Sequence, residues 1–316
     1  MSSSSSSSSS AYIPTTFVPL GGPDYGEVET CPCPPPHPCY PPGTEKGSGG
    51  VRTVNGMVVL TTEVNLQTSG FGFPFSTQME YDNLSGTPGW RPTQGLERLS
   101  FDAGRVLYKE GVNSEKLFLP TTGGNYQATY FVKDQLYYDS ATSTYILTSP
   151  DGTVREYSGP TTSCLLQRVL TPGGIEVTFT YTGGAGSERL STVSATYGAA
   201  TWQFTYAYNV NNLLESIIQT VAGTNVRKLE YAYDSNNNIR TIKKLSPNGA
   251  GWNSAPIEAC IYTYHTASPY RLQHVVTPTG YRQMINNGIA DPEGQSASVI
   301  AQYAETTIHP VTPALE

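Results

Sequence analysis

Three thiols and an imidazole crowd one short stretch of the chain: Cys31, Cys33, His37 and Cys39. Soft ligands of this kind hold zinc when loops bring four of them to one tetrahedron. Here prolines 32, 34, 35, 36 and 38 intervene and keep the chain extended. Ligands two residues apart on an extended chain stand roughly 6–7 Å apart at Cα, an awkward spread for a closed site. The stretch therefore reads as a polyproline-like tether bearing thiols, and no metal is expected. Cys164 and Cys260 stand alone, and five cysteines is an odd number, so no disulfide framework follows.

Nucleophiles and bases occur without partners. His265 takes a hairpin-loop position, His274 lies in a strand, and His309 sits near the C-terminus among prolines. None has a carboxylate and a nucleophile at a spacing that would build a triad. Gly294-Gln295-Ser296-Ala297-Ser298 approaches a nucleophile elbow but lacks its final glycine. Gly184-Ala185-Gly186 lacks the third glycine of a dinucleotide fingerprint, and no phosphate-cradling loop adjoins a lysine. No catalytic residue and no cofactor is expected, and the chain reads as a non-enzyme. Asn83-Leu84-Ser85 is a lone glycosylation sequon.

The bulk composition narrows the partners. With 18 basic and 25 acidic residues, net −7, the chain offers no positive field for a phosphate backbone, so nucleic acid is excluded. Apolar runs such as Met57–Leu60 fall far short of the ~20 residues that cross a bilayer, so no membrane span is expected. The first basic residue is Lys46, and Met1 is followed by Ser2 to Ser10, which is no standard secretory signal. The 31 glycines and 24 prolines impose many turns, and 22 tyrosines against 9 phenylalanines favour strands over helices.

Four regions follow. Residues 1–50 join the serine run, the Cys/Pro stretch and a Gly/Ser-rich end, and carry too few large apolar side chains to offset ordering; a disordered tail is expected. Residues 51–149 read as a β-rich lead-in. In it Phe71, Phe73, Phe75, Thr77, Met79 and Tyr81 share one face of a two-residue period, and Thr129–Lys133 and Thr144–Thr148 read as strands. Residues 150–285 are a repeat array, and 286–316 a C-terminal tail.

The array is marked by a recurring turn: Ser149-Pro150-Asp151-Gly152, Thr171-Pro172-Gly173-Gly174, Ser246-Pro247-Asn248-Gly249 and Thr277-Pro278-Thr279-Gly280. Proline second and glycine fourth are type I turn preferences. With Gly198 and Gly223 in the gap, successive turn glycines lie 22, 24, 25, 26 and 31 residues apart. A second series interleaves: Phe179-Thr180-Tyr181, Tyr206-Ala207-Tyr208, Tyr231-Ala232-Tyr233 and Tyr262-Thr263-Tyr264. Alternation extends back from each, so Trp202, Phe204, Tyr206 and Tyr208 share a face. Polar loops follow, then a second apolar stretch with Leu or Ile three positions before Val or Ile. Each unit is thus strand, polar loop, strand, glycine turn. A lone hairpin cannot cover its apolar face, so units must pair edge to edge. Leu213 to Val221 has helical spacing, but it sits in phase with three equivalents that lack it, so a strand is expected there too.

Tyr231-Ala232-Tyr233-Asp234, followed by Asn238-Ile239-Arg240-Thr241-Ile242, resembles the signature of Rhs or YD-repeat proteins over roughly 150–285. Asn209 and His265 stand where that signature has aspartate, and the first copy has Thr182. Upstream, Asn55 to Leu60 with Gly70 to Phe75 is similar to the lead-in that precedes such repeats. The resemblance implies an all-β fold: antiparallel hairpins in one continuous curved sheet, a partial shell, with terminal edges left uncapped. In bacterial toxin complexes such sheets spiral into a hollow shell around a cargo domain, and in surface proteins they serve adhesion. A structural or interaction protein at the cell surface or secreted is implied, partnered by carbohydrate or another Rhs-type polypeptide; a remnant of a toxin-delivery shell without its cargo is the related alternative. The handful of repeats here is too few for full enclosure. The family's self-cleaving core is not recognisable: Asp291-Pro292-Glu293-Gly294 matches only its beginning, and it reads as a polar turn. The aromatic rows would stack on sugars if they faced water, but they lie on the face that must supply the core, so packing is expected.

Overall fold

A computed structural model describes residues 52–54, 57–68, 75–82, 89–92, 97–109, 115–129, 132–158, 163–184, 187–198, 200–266 and 271–307. All fall in one compact unit, Thr44–Glu316. The expected tail, its Cys/His cluster, the sequon at Asn83 and His309 lie outside the described residues.

The first strands form a small antiparallel sheet in chain order: β1 (Arg52–Val54), β2 (Met57–Thr61), β3 (Met79–Asp82) and β4 (Gly89–Pro92). Of the long strand expected to end at Tyr81, Phe71 and Phe73 lie outside the described residues. Met79–Asp82 is strand, and Ser76 forms an isolated antiparallel bridge with Gln67, with Phe75 and Thr77 buried on either side of it. Thr77 joins Leu66 by backbone and side chain alike: its N–H donates to Leu66 O at 3.0 Å and its hydroxyl accepts from Leu66 N at 2.9 Å.

A second group follows: β5 (Arg98–Asp102), β6 (Arg105–Lys109), β7 (Glu115–Pro120), β8 (Asn125–Ala128), β9 (Gln135–Asp139), β10 (Thr144–Thr148), β11 (Val154–Tyr157) and β12 (Ser163–Leu170). Each pairs with the next, and β12 returns to β5 through Ser163↔Ser100, Cys164↔Leu99 and Leu165↔Arg98. Eight strands enclose an interior just wide enough for side chains to fill. Leu99, Val106, Tyr108, Phe118, Leu136, Leu147, Tyr157 and Cys164 fill it. Of the strand expected over Thr129–Lys133, residues 130 and 131 lie outside the described residues; β8 ends at Ala128, and Thr129 N and its hydroxyl both donate to Leu117 O.

The repeats continue from the same strand, because the outer half of β12, Arg168 to Leu170, pairs with β13 (Glu176–Thr182). Then come β14 (Arg189–Tyr197), β15 (Ala200–Tyr208), β16 (Leu214–Val221), β17 (Thr224–Tyr233) and β18 (Ile239–Leu245). Leu214 to Val221 is indeed extended, paired on both sides with β15 and β17. A short hairpin, β19 (Pro247–Asn248) with β20 (Gly251–Trp252), precedes β21 (Glu258–Tyr264) and β22 (Leu272–Val276). In all, 17 strands make one antiparallel sheet that closes on itself. It runs unbroken across 149/150, since β10 pairs with β11.

Two of the four expected Pro/Gly turns form as read. Gly152 N donates to Ser149 O and Gly174 N to Thr171 O, both at 2.9 Å, with Gly152 and Gly174 at φ 86° and 77°. The other two require correction. Pro247 and Asn248 are the first strand of the inserted hairpin, and the turn moves on to Gly249 at φ 58°. This insertion accounts for the long interval in the glycine series. Pro278 opens a helix, α1 (Pro278–Asn286), with Thr277 as its cap and Gly280 in its first turn. A type I turn and the first turn of a helix share their dihedrals, so Thr-Pro starts either. Gly280 serves closeness, not a positive φ: a Cβ there would lie 2.5 Å from Tyr303 O.

After α1 the chain forms α2 (Ala297–Tyr303) and β23 (Thr306–Thr307), within what the sequence reads as a tail. These cover the last hairpin. Tyr281, Met284 and Ile300 pack on Ala259, Ile261 and Val276, and β23 pairs with His274 and Val275 at the edge of β22. The terminal edge expected to be uncapped is therefore covered over these two residues. Sequence supports this: the outward positions of β21 are Ala259 and Ile261, whereas those of β13 and β15 are Glu176, Thr178, Gln203 and Thr205.

Candidate functional site: a tyrosine ladder and an aromatic cleft

The second aromatic of each repeat is tyrosine in every copy, while the first varies between Phe179 and Tyr206, Tyr231 and Tyr262. Register explains the constancy. Each of these tyrosines sits at a β-bulge: Tyr181 opposite Leu190, Tyr208 opposite Leu214, Tyr233 opposite Ile239 and Tyr264 opposite Leu272. A bulge interrupts the ladder and re-aims the side chain. Each hydroxyl then donates to the bulge partner of the preceding hairpin: Tyr181 to Leu166 O at 2.7 Å, Tyr208 to Leu190 O at 2.8 Å, Tyr233 to Leu214 O at 2.7 Å and Tyr264 to Ile239 O at 2.9 Å. The last rung is held from the lead-in as well, because Trp90 Nε1 donates to Tyr264 Oη at 2.8 Å and Leu272 N to Tyr81 Oη at 3.1 Å.

The rings face inward. Phe179, Trp202, Phe204, Tyr231 and Tyr262 are buried, with Cys260 on the same face. Tyr181, Tyr206, Tyr208, Tyr233 and Tyr264 are partly buried and pack against them. Phe75 of the lead-in stacks on Phe204 at 5.1 Å and meets Phe179 edge-on at 6.4 Å. Burial pushes the Tyr208 phenol up to about 12, against the opposing pull of Arg189. It raises Tyr181, Tyr233 and Tyr264 too.

Past Tyr208 and Tyr233, a side-chain oxygen closes the loop. Asp234 Oδ1 accepts from Asn236 N and Asn238 N at 2.8 and 2.9 Å. Asn209 Oδ1 does the same for Asn211 N and Leu213 N at 2.9 and 3.0 Å. These two backbone bonds need an acceptor, not a charge, so asparagine serves in place of the signature aspartate; Asp234 adds a bond from Asn238 Nδ2 to its second oxygen at 3.1 Å. Asn212 and Asn237 take the left-handed position of these loops, at φ 63° and 64°.

Three successive loop ends and the lead-in together border a cleft of about 450 Å³. Tyr206, Tyr208, Tyr233 and Trp90 supply its rings, Met79, Leu190, Leu214 and Ile239 its aliphatic wall, and Asn212, Asn236 and Asn237 its rim. The Arg189 guanidinium lies over the Tyr208 ring, 4.9 Å from its centre, and donates to Asn212 Oδ1 at 2.6 Å. Tyr208 and Tyr233 spend their hydroxyls on the ladder, whereas the Tyr206 hydroxyl makes no hydrogen bond among the described residues. The sequence pointed to Tyr206, Tyr208 and Tyr233 but missed Trp90, Arg189 and the asparagines. Only the recurrence of Asn near 212 and 236, one repeat apart, signalled them.

Several residues weighed for catalysis make local contacts. Ser296 stands at the N-cap position of α2 without a side-chain capping bond, and its hydroxyl lies 2.9 Å from Ser298 Oγ. Asp291 Oδ1 accepts from Gly294 N at 3.1 Å, closing its own turn. Glu293 beside it is held by Lys243 at 2.6 Å and by Tyr281 Oη at 3.1 Å. Cys164 and Cys260 are buried free thiols, and burial raises the Cys260 thiol well above its usual range. Among the described residues no group of three metal-ligating side chains converges, and no helix is long and apolar enough to cross a membrane.

No family model matches this chain, and no curated protein matches it in sequence. Solved structures do match in fold. The Photorhabdus luminescens Tc holotoxin pore carrying a TccC3 mutation aligns at TM-score 0.51 and 12% identity, over 69% of this chain and 16% of that one. The TcdB2–TccC3 crystal structure aligns at 0.50 and 14%, over 69% and 17%. The TcdB2–TccC3–TEV structure aligns at 0.50 and 12%, over 74% and 17%. The chain thus spans about one sixth of each matched chain. At these identities the likeness is one of fold alone.

Proposed function

We propose that this chain is a non-enzymatic wall and interaction module, working at the cell surface or outside the cell with a polypeptide partner. The observation that carries the reading is the ladder. The second tyrosine of each pair fastens its hairpin to the one before, while the acceptors Asn209 and Asp234 close their own loops. Such an arrangement suits a rigid curved surface. The fold likeness to Tc toxin components, which are multi-protein assemblies, supports a protein partner over carbohydrate. The inward rows also remove the main argument for sugar stacking along the sheet.

The test has two arms. The purified chain is assayed against esterase, peptidase, glycosidase and phosphatase substrates, and is co-expressed with the products of adjoining reading frames. No turnover and a stoichiometric complex are expected. Turnover abolished by changing a single Ser, His or Asp would overturn the reading.

A further inference from the structure

We propose that the aromatic cleft is a docking groove for a proline-rich segment of a partner polypeptide, lying as a polyproline II helix across the hairpin ends. The proposal rests on the interaction-module reading in taking the partner to be a polypeptide.

Period is the first argument. The cleft repeats itself by hairpin: Tyr208 and Tyr233 are equivalent positions, as are Leu214 and Ile239. Equivalent residues of adjacent hairpins are two strands apart, or about 9.6 Å at the strand spacing of a sheet. A polyproline II helix repeats every three residues, at about 9.3 Å. A segment laid perpendicular to the strands therefore presents the same ring edge to Tyr208 and then to Tyr233.

Hydrogen-bond chemistry is the second. Proline has no N–H, and polyproline II makes no internal hydrogen bonds, so such a segment arrives with open carbonyls and asks for donors. The cleft offers them. The Tyr206 hydroxyl is unspent among the described residues. Asn212 has its oxygen taken by Arg189, which leaves its amide N–H groups to donate. Asn236 and Asn237 stand exposed on the rim. Aromatic faces with a few donors between them are how such segments are bound, with little ordering cost because the ligand is already extended. The Asp234 carboxylate is spent on its own loop, and the Arg189 guanidinium is held by the Tyr208 ring and Asn212 Oδ1, with its buried Nε unpartnered among the described residues.

The full chain is titrated with decaproline by isothermal calorimetry. Saturable one-to-one binding is expected. Tyr206→Phe keeps the ring and removes the donor, and Asn236→Ala removes a rim amide; each is expected to weaken binding about two- to tenfold. Their thermal midpoints, expected to match the parent, separate lost contacts from lost structure. No binding, binding unchanged in both variants, or binding of a neutral gluco-oligosaccharide in place of decaproline would overturn the proposal. Any of these leaves the scaffold reading to its own assays of turnover and complex formation.

Discussion

The two halves of the sheet solve one problem in different ways. Strands β5 to β12 are short, their loops carry no common signature, and they gain cohesion by closing into a ring through β12 and β5. Strands β13 to β22 do not close on each other. Instead each hairpin is tied to its predecessor by a tyrosine reaching a bulged carbonyl. Tyr157 sits where the halves meet and shows the difference. It stands at a bulge opposite Leu166, as its counterparts stand opposite their partners, 24 residues before Tyr181. Yet its buried hydroxyl has no hydrogen-bond partner among the described residues, and its ring packs edge-on against Tyr108 at 6.2 Å. Where closure supplies the tie, the rung is dispensable.

That contrast can be broken most forcefully in the core. Phe118 of the ring and Phe204 of the repeats are both fully buried, in one contiguous cluster. Phe118→Ala and Phe204→Ala are each expected to cost ~3–5 kcal/mol, measured by urea unfolding. A single transition should persist in both; separate transitions would show the halves to be independent bodies.

Alkali acts on the repeats next. The ladder phenols ionise with more difficulty folded than unfolded, so their contribution is complete below the unfolded value near 10 and is lost as pH rises through the folded one. For Tyr208 that window runs from about 10 to about 12. Stability by chemical denaturation should be flat in this respect below pH 10 and fall above it.

Single rungs sharpen the comparison further. Tyr233→Phe removes the bond to Leu214 O and should cost ~1 kcal/mol. Tyr157→Phe removes a buried hydroxyl that bonds nothing among the described residues, so its effect should be near zero or slightly stabilising. Equal losses at the two positions, in the same urea assay, would refute the distinction between ring and ladder.

Much of this was legible because strands alternate and turns have local chemistry. Trp202, Phe204, Tyr206 and Tyr208 had to share a face whatever else the chain did, and Asp151-Gly152 and Gly173-Gly174 had to turn. Leu213 to Val221 shows phase outranking propensity: its helical spacing yielded to pairing on both edges. Thr277-Pro278 marks the limit of the same reasoning. Its four residues match those at 149 and 171, and only Tyr281, Met284 and the apolar face of β21 decide that a helix follows. The cleft was less visible still. Trp90 is 174 positions from the hydroxyl it binds, and Arg189 is 23 from Asn212.

By itself, then, the amino-acid order determined the units: where each strand alternates, where each loop needs an acceptor and which side chains must leave water. Those are interactions between near neighbours, and they repeat with the residues. Which strand meets which was decided only in three dimensions. Whether β12 divides its edge between β5 and β13, whether a phenol reaches the carbonyl beside it, and whether four rings and three amides border one groove depend on register and curvature. These are set by the packing of the whole sheet, which no local pattern encodes.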